Sequence, residues 1–450
     1  MISLRRLMTG TCASAATLGI GLSVVSSATA APVRVNRGIS THTIRAQAAT
    51  SRFTDLHDFT GADGASPQGG LDLGIQYNGN GNFTSTLFGE TQAGGTSSAG
   101  TIFSYGLNAQ NFASLYSFTG RNDGGNPQGG LANNDSDYFP TGSRQFGVTL
   151  QGGQFTDGTV FVTTNGTPTV IHAFTGGADG ANPIGRITQF TDGNYYGTTS
   201  SGALGYGTVF RVTPGGQFST IHIFTGNADG GAPAGLALRV NLNGNANVAH
   251  RGSVEGMVER VRAMNSRYVS PYLYGTTSTG GRSNGSGFGT IFRITPAGKL
   301  QTLFTFTGGN DGATPVTRLS TDLSGNLFGT TSAGGSGSSG NGVVFQLIEN
   351  SNTPIVIHDF GNGAGGAIPL GSITVGLNGR LYGTASQGGA AGYGSLFEIG
   401  NNGYVDIHDF QMSDGANPFG KLLDAGDGFL YGTAANGAHF MNGDLFRIVR

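Results

Sequence analysis

The chain has 450 residues, of which 83 are glycine, 29 phenylalanine and 14 tyrosine, with no tryptophan. Only 11% are charged, and the formal net charge is −2. The aromatic content argues against simple disorder, because each ring can bury a large apolar area, and the mildly acidic balance without a basic stripe argues against a nucleic-acid partner.

Residues 1–30 read as a signal peptide. Arg5 and Arg6 precede a largely apolar run from Leu7 to Val25, and Ala28-Thr29-Ala30 is a small-x-small cleavage site. A short membrane anchor is the competing reading of the same run. Cys12, the single cysteine, lies inside this segment, so cleavage would leave a chain without disulfides. The expectation is a secreted protein, extracellular or periplasmic, with no membrane span after cleavage. Residues 31–52 carry no periodic pattern and are expected to form a flexible leader.

From residue 53 to residue 450 four landmarks recur seven times in fixed order, with a period of about fifty residues. First comes a phenylalanine closing a "VIHDF"-like run: Phe59, Phe118, Phe174, Phe224, Phe306, Phe360 and Phe410. A proline follows eight or nine residues later: Pro67, Pro127, Pro183, Pro233, Pro315, Pro369 and Pro418. Third is an aromatic-glycine pair, from Phe88-Gly89 to Tyr431-Gly432. Last is a "TVF"-like strand centred on Phe103, Phe161, Phe210, Phe292, Phe345, Phe397 and Phe446. Gly, Asn, Asp and Pro clusters separate these aromatic and β-branched runs, as hairpin turns require. Each unit divides into four short strands, a to d, which is one propeller blade.

The first unit opens with a lone strand d (Asp55 to Phe59), and the last ends on strands a, b and c (Pro418 to Val449). The two fragments complete each other. The predicted fold is therefore all-β: a seven-bladed β-propeller of four-stranded antiparallel blades, closed by the N-terminal strand joining the C-terminal blade. Closure removes the exposed sheet edges. One unit breaks the spacing. From proline to aromatic-glycine takes thirteen residues in blades 3, 5, 6 and 7 but 41 in blade 4. The extra segment, about 241–271, places Val254, Met257, Val258, Val261 and Met264 at helical spacing. A short helix on its own blade or a partner-docking element is expected there.

Units such as "IHDFQMSDGANPFGKLLDAGDGFLYGTAANG" and "TFTGGNDGATPVTRLSTDLSGNLFGTTSAGG" resemble the GloVer tandem repeat of secreted bacterial proteins, a choice-of-anchor group with varied C-terminal anchors. The resemblance spans Phe53 to Arg450. It implies a secreted repeat protein of unassigned activity and carries over no catalytic residue; the anchored members differ in continuing beyond their last strand.

Five histidines, His57, His172, His222, His358 and His408, sit two residues before the strand-d phenylalanine. Alternation places them on that phenylalanine's face of the outermost strand. Tyr116 and Phe304 occupy the same place in the other repeats, so a packed ring is expected and no metal, since rings spread round a rim cannot share an ion. Asp63, Asp123, Asp179, Asp229, Asp311 and Asp414 each lie four residues before the repeat proline in "DGAxP"-like segments, with Gly365 in the sixth. They are the candidate binding residues, with an Asx-type turn as the alternative role.

Antiparallel order puts the d–a and b–c loops on one face, rich in Gly, Ser, Thr and Asn with few charges, suited to neutral hydroxylated ligands or to no ligand. No Walker spacing, G-x-S-x-G, H-E-x-x-H or C-x-x-C carries a reaction, and no cofactor is implied. The expected function is a non-catalytic, monomeric binding or interaction module at the cell surface or outside the cell, its partner a polysaccharide or another surface protein. The alternative is an extracellular polysaccharide hydrolase or lyase with its site on the propeller axis.

Overall fold

The computed structural model describes residues 52–77, 83–132, 138–140, 144–164, 166–241, 269–336, 340–361, 363 and 365–450. The chain divides into Met1–Ser40 and Thr41–Arg450, and every described residue belongs to the second unit. The proposed signal peptide, all but the last residue of the leader, and the helical positions Val254 to Met264 lie outside the described residues. No helix occurs among those described.

Seven sheets follow one another along the chain, each with strands a to d in sequential order. Blade 1 runs Asp72–Tyr77, Phe83–Thr91, Thr101–Gly106, Asn111–Ser117, and blade 2 runs Gly125–Pro127, Gln145–Gln151, Thr159–Thr163, Thr169–Ala173. Blade 3 comprises Ala181–Gln189, Tyr195–Ser201, Thr208–Val212 and Phe218–Ile223. In blade 4 the strands are Gly231–Val240, Val269–Thr279, Thr290–Ile294 and Leu300–Thr305. Blades 5 and 6 begin with two-residue strands, Ser320–Thr321 and Thr374–Val375, before Leu327–Thr331, Val343–Leu347, Ile355–Asp359 and Leu381–Ala385, Ser395–Gly400, Gly403–Asp409. Blade 7 contains Ala416–Pro418 with Leu423–Asp424, then Phe429–Asn436, Asp444–Val449 and, from the other end of the chain, Phe53–Asp58.

That last pairing closes the ring. Phe53–Asp58 runs antiparallel to Asp444–Val449, with Phe53 opposite Ile448 and Asp58 opposite Asp444. Two details depart from the simple pattern. Tyr138–Pro140, from the a–b connection of blade 2, pairs in parallel with strand a of blade 1 and gives that sheet a fifth strand. Strand a also begins ahead of the proline in blades 2, 3, 4 and 7 rather than after it.

The landmarks explain the packing. Each glycine of the aromatic-glycine pair lies beneath the strand-c phenylalanine; a Cβ there would stand 2.3–2.6 Å from the ring's Cζ. The glycine makes room for a ring that is itself fully buried, from Phe103 to Phe446. A second glycine ends each b–c loop, and its Cβ would lie 2.5–3.0 Å from Cδ of the next blade's repeat proline. The residue before that proline has positive φ in all seven repeats, from Ser66 (51°) to Asn417 (53°). Its N–H donates to a carbonyl in the preceding blade's b–c loop. Asn182 to Asp157 at 2.8 Å is one example, and Ser66 to Asn442 at 2.9 Å carries the same bond across the closure. Backbone strain is thus repeated at the joints between blades, where a hydrogen bond and a proline–glycine contact hold it.

Apolar clusters fill the seven gaps between neighbouring blades. Phe146, Phe174, Tyr195 and Phe210 pack blade 2 on blade 3, while Phe59, Leu87, Phe103, Tyr431 and Leu445 pack blade 7 on blade 1. Each such ring contributes about 1.5–3 kcal/mol on burial, so the closing gap is held by side chains as well as by the strand ladder.

Candidate functional site

The two repeated polar residues are partners. His57, His172 and His222 place Nε2 at 3.0, 3.0 and 3.3 Å from a carboxylate oxygen of Asp63, Asp179 and Asp229, and His408 lies 3.3 Å from Asp414. Tyr116 donates its hydroxyl to Asp123 at 3.0 Å in the same manner. Every carboxylate of this set, Asp311 included, also accepts a backbone N–H three or four residues earlier, at 2.6–3.0 Å. The six aspartates therefore cap the turn that leads out of strand d. They are spread one per repeat and the structure does not bring them together.

Each of the five histidines meets the phenylalanine two residues on, edge to face, with centroids 4.7–5.1 Å apart. Four also stack flat on a ring of the next blade: His57 on Phe112, His172 on Phe218, His358 on Tyr404 and His408 on Phe53. Burial lowers the pKa of His57, His172 and His222, outweighing their aspartate partners. Among the described residues no group of three or more His, Cys, Asp or Glu is disposed to hold a metal ion.

The side chains that do converge lie on the axis. The inner strands meet there through glycines at the second position after the repeat proline in six of the seven repeats, with Thr317 in the fifth. A Cβ on Gly129 would lie 2.4 Å from the Gly185 carbonyl carbon, and one on Gly420 2.7 Å from the Gly69 oxygen. This close approach leaves a channel of about 260 Å³. All seven blades line it. Its polar lining is Gln68, Gln128, Arg186, Thr317, Arg318, Ser372 and Lys421: three cations and, among the described lining residues, no carboxylate. These positions directly follow the d–a loops, so this end of the channel opens on the glycine-rich face.

Behind the wall sits an ionisable pair. Arg186 Nη2 lies 2.6 Å from Asp72 Oδ1, with both side chains buried. Glu90 is 1% exposed. Its Oε2 accepts the Gly130 N–H at 3.1 Å, and burial raises its pKa to about 8. Arg318 reaches across two blades, donating Nε–H to the Leu236 carbonyl and Nη2–H to Thr188 Oγ1. Glu90 and Asp72 are two carboxylates in one neighbourhood, as a hydrolytic site would need, but both are about 1% exposed and neither lines the channel. A substrate in the channel would meet cations, amides and hydroxyls, which bind and orient.

Repeat analysis missed Asp72, Glu90, Arg186, Arg318 and Lys421. The signal was present: the third residue after the repeat proline reads Gly70, Gly130, Arg186, Leu236, Arg318, Ser372 and Lys421. It is the variable neighbour of invariant landmarks.

The profile of the Gloeobacter/Verrucomicrobia repeat matches residues 49–257 and 253–446. No curated protein matches the chain. Among solved structures, a puromycin-hydrolyzing peptidase of Mycobacterium tuberculosis is similar at 10% identity and a TM-score of 0.45; the alignment covers 90% of this chain and 55% of the peptidase, so the chain spans about half its length. TolB from Acinetobacter baumannii aligns at 9% identity and a TM-score of 0.39, covering 84% of this chain and 79% of TolB. A putative gluconolactonase aligns at 10% identity and a TM-score of 0.36, covering 89% of this chain and 93% of the other.

Proposed function

Because the chain belongs to the Gloeobacter/Verrucomicrobia repeat family and closes as a seven-bladed propeller, we propose that it is a secreted, non-catalytic binding module. Its ligand is a saccharide, engaged at the mouth of the axial channel. The observation that carries this reading is the channel lining: hydrogen-bonding side chains from several blades converge there, while the two buried carboxylates stand behind the wall. Propellers host many activities on one architecture, so the site and not the fold supports the choice. The N-terminal run up to Ala30 supports export.

A glycan panel tests it. Purified protein from residue 31 onward is titrated with neutral and acidic oligosaccharides by calorimetry, and the same mixtures are assayed for released reducing ends. Binding without turnover is the expected result. Turnover abolished by Glu90→Gln or Asp72→Asn would replace the module with a hydrolase or lyase.

A further inference from the structure

Resting on that binding reading, we infer that the saccharide is a chain of β-linked, equatorially substituted pyranoses, stacked on a platform that Tyr206 and Phe288 build on the glycine-rich face. The two rings come from the b–c loops of neighbouring blades 3 and 4, and they are exposed at 41% and 42%. They occupy one repeat position, the residue before the glycine that ends the b–c loop. Asp157 and Asn341 stand there in the flanking blades 2 and 5, while Tyr393 of blade 6 packs against a core cluster. The fold holds the two open rings in place. Each carbonyl accepts the N–H of the residue before the next repeat proline, Ala232 to Tyr206 and Thr314 to Phe288, both at 2.8 Å. Each side chain then lies over a glycine of the following d–a loop. A Cβ on Gly226 would stand 2.3, 2.5 and 2.5 Å from three adjoining atoms of the Tyr206 ring, and one on Gly308 would stand 2.6, 2.7 and 2.7 Å from three of Phe288. Such near-equal distances mean that the glycine lies under the face of the ring and not at its edge. One face is seated on backbone and the other meets solvent, so little freedom is left to lose on binding.

The neighbours of the rings are polar and mostly neutral. Asn227, exposed, follows Gly226 in the loop under Tyr206. Its Oδ1 lies 3.6 Å from where a Cβ on Gly285 would stand, in the loop that carries Phe288, so an amide is set between the two rings. Asn310, also exposed, lies two residues after Gly308. The b–c loops 202–207 and 280–289 contain a single charged residue, Arg282. An aromatic face carries partial negative charge, and the C–H groups of a pyranose, polarised by the adjoining oxygens, complement it. Equatorial substitution leaves both faces of the sugar as bare C–H groups, while its edge hydroxyls reach the amides. A protein partner would call for a contiguous apolar patch, whereas glycine and asparagine separate these rings. Two platforms on adjacent blades engage one chain together, so affinity grows with chain length.

Calorimetry with cellohexaose, xylohexaose and cellobiose tests the platform. At least one hexasaccharide should bind about tenfold more tightly than cellobiose, or better. Tyr206→Ala and Phe288→Ala should each weaken that binding about fivefold or more with an unchanged melting temperature, and Tyr206→Phe should retain it. The chain has no tryptophan, so Phe288→Trp supplies a single fluorophore whose emission should shift as the same sugar saturates the protein. Hexasaccharide binding no tighter than that of cellobiose, or indifferent to either alanine substitution, overturns the paired platform and leaves the saccharide module standing at the channel mouth. Binding of another glycan of the panel, with neither hexasaccharide bound, does the same. Self-association removed by the alanine substitutions, without hexasaccharide binding, overturns the platform by assigning the rings to a contact between copies of the chain. Absence of binding by every glycan overturns both readings.

Discussion

His408 stacks face to face on Phe53, with centroids 4.2 Å apart and planes 8° from parallel. The two residues are 355 positions apart in sequence, and this contact joins the strand Phe53–Asp58 to the sixth blade. Phe53 also meets Phe410 edge-on at 5.7 Å and Phe446 at 5.0 Å. Phe53→Ala should therefore cost about 2–4 kcal/mol, the usual range for truncating a packed ring. Phe155→Ala, at a position 46% exposed, should cost less than about 0.5 kcal/mol. Urea denaturation of both variants checks the contrast, and equal midpoints would mean that the closing strand contributes little.

The histidines answer to packing. His172 lies between the edge of Phe174 and the face of Phe218, at 4.9 and 3.6 Å. Phe304 fills the same position in blade 4 with no polar tip, against Phe306 at 5.2 Å. His172→Phe should thus cost under about 1 kcal/mol, because Asp179 keeps its bonds from Thr175. His172→Ala should cost about 2 kcal/mol through the lost ring contacts. Adding zinc should leave the melting temperature of the native protein unchanged. A clear rise would contradict the assignment of these rings to packing alone.

Ring closure was legible because fragments at the two chain ends were complementary: a lone strand d at one end and a, b, c at the other. The shared fate of His57 and Asp63 was not, although both recur with the same spacing, because each was weighed by itself. Strand boundaries at Ser320–Thr321 and Thr374–Val375 depend on backbone pairing that side-chain pattern does not encode. Tyr138–Pro140 joins blade 1 through backbone pairing as well, which its side-chain pattern does not encode. The axial site escaped for a different reason. Repeats are recognised by what they share, and Arg186, Arg318 and Lys421 stand where the repeats differ.

Glycine at the blade joints is required by space as well as by backbone. Gly158 has φ +98°, and a Cβ there would lie 2.4 Å from the Thr149 carbonyl oxygen and 2.5 Å from Pro183 Cδ. Neither atom is the end of a flexible side chain. Gly193 has φ +81° with nothing within 4 Å. Gly193→Ala should cost about 1–2 kcal/mol from the left-handed conformation alone. Gly158→Ala adds a clash between blades and should cost about 3 kcal/mol or more. Thermal melts of the two variants separate strain from crowding; equal losses would show that blade 2 can shift to accept the methyl group.

The closing blade carries an electrostatic load at the position where strands b and c face each other. In four blades two threonines face each other across strands b and c, as Thr199 and Thr208 do at 2.9 Å. In blade 7 the pair is Ala434 and Asp444. Asp444 is fully buried, and neither carboxylate oxygen has a hydrogen-bond partner. Burial raises its pKa well above the usual range, and Asp55, Asp58 and Asp414 raise it further. Asp55 is itself raised to about 7, chiefly by burial. Both acids bind protons more tightly folded than unfolded. Their contribution is complete below the unfolded value near 3.8 and is lost as pH rises through the folded values, about 7 for Asp55 and higher than usual for Asp444. His57, His172 and His222 act in the opposite sense below pH 6.5, since their folded pKa values are lowered, so the seam is best isolated by substitution. Asp444→Ser copies blade 6, where Ser395 donates to the Gly365 carbonyl at 3.1 Å, and the matching acceptor in blade 7 is the Asp414 carbonyl. The variant should melt about 2–4 °C above the native protein at pH 8, with the gain shrinking toward zero by pH 4. A gain independent of pH would assign the effect to packing instead of to the proton.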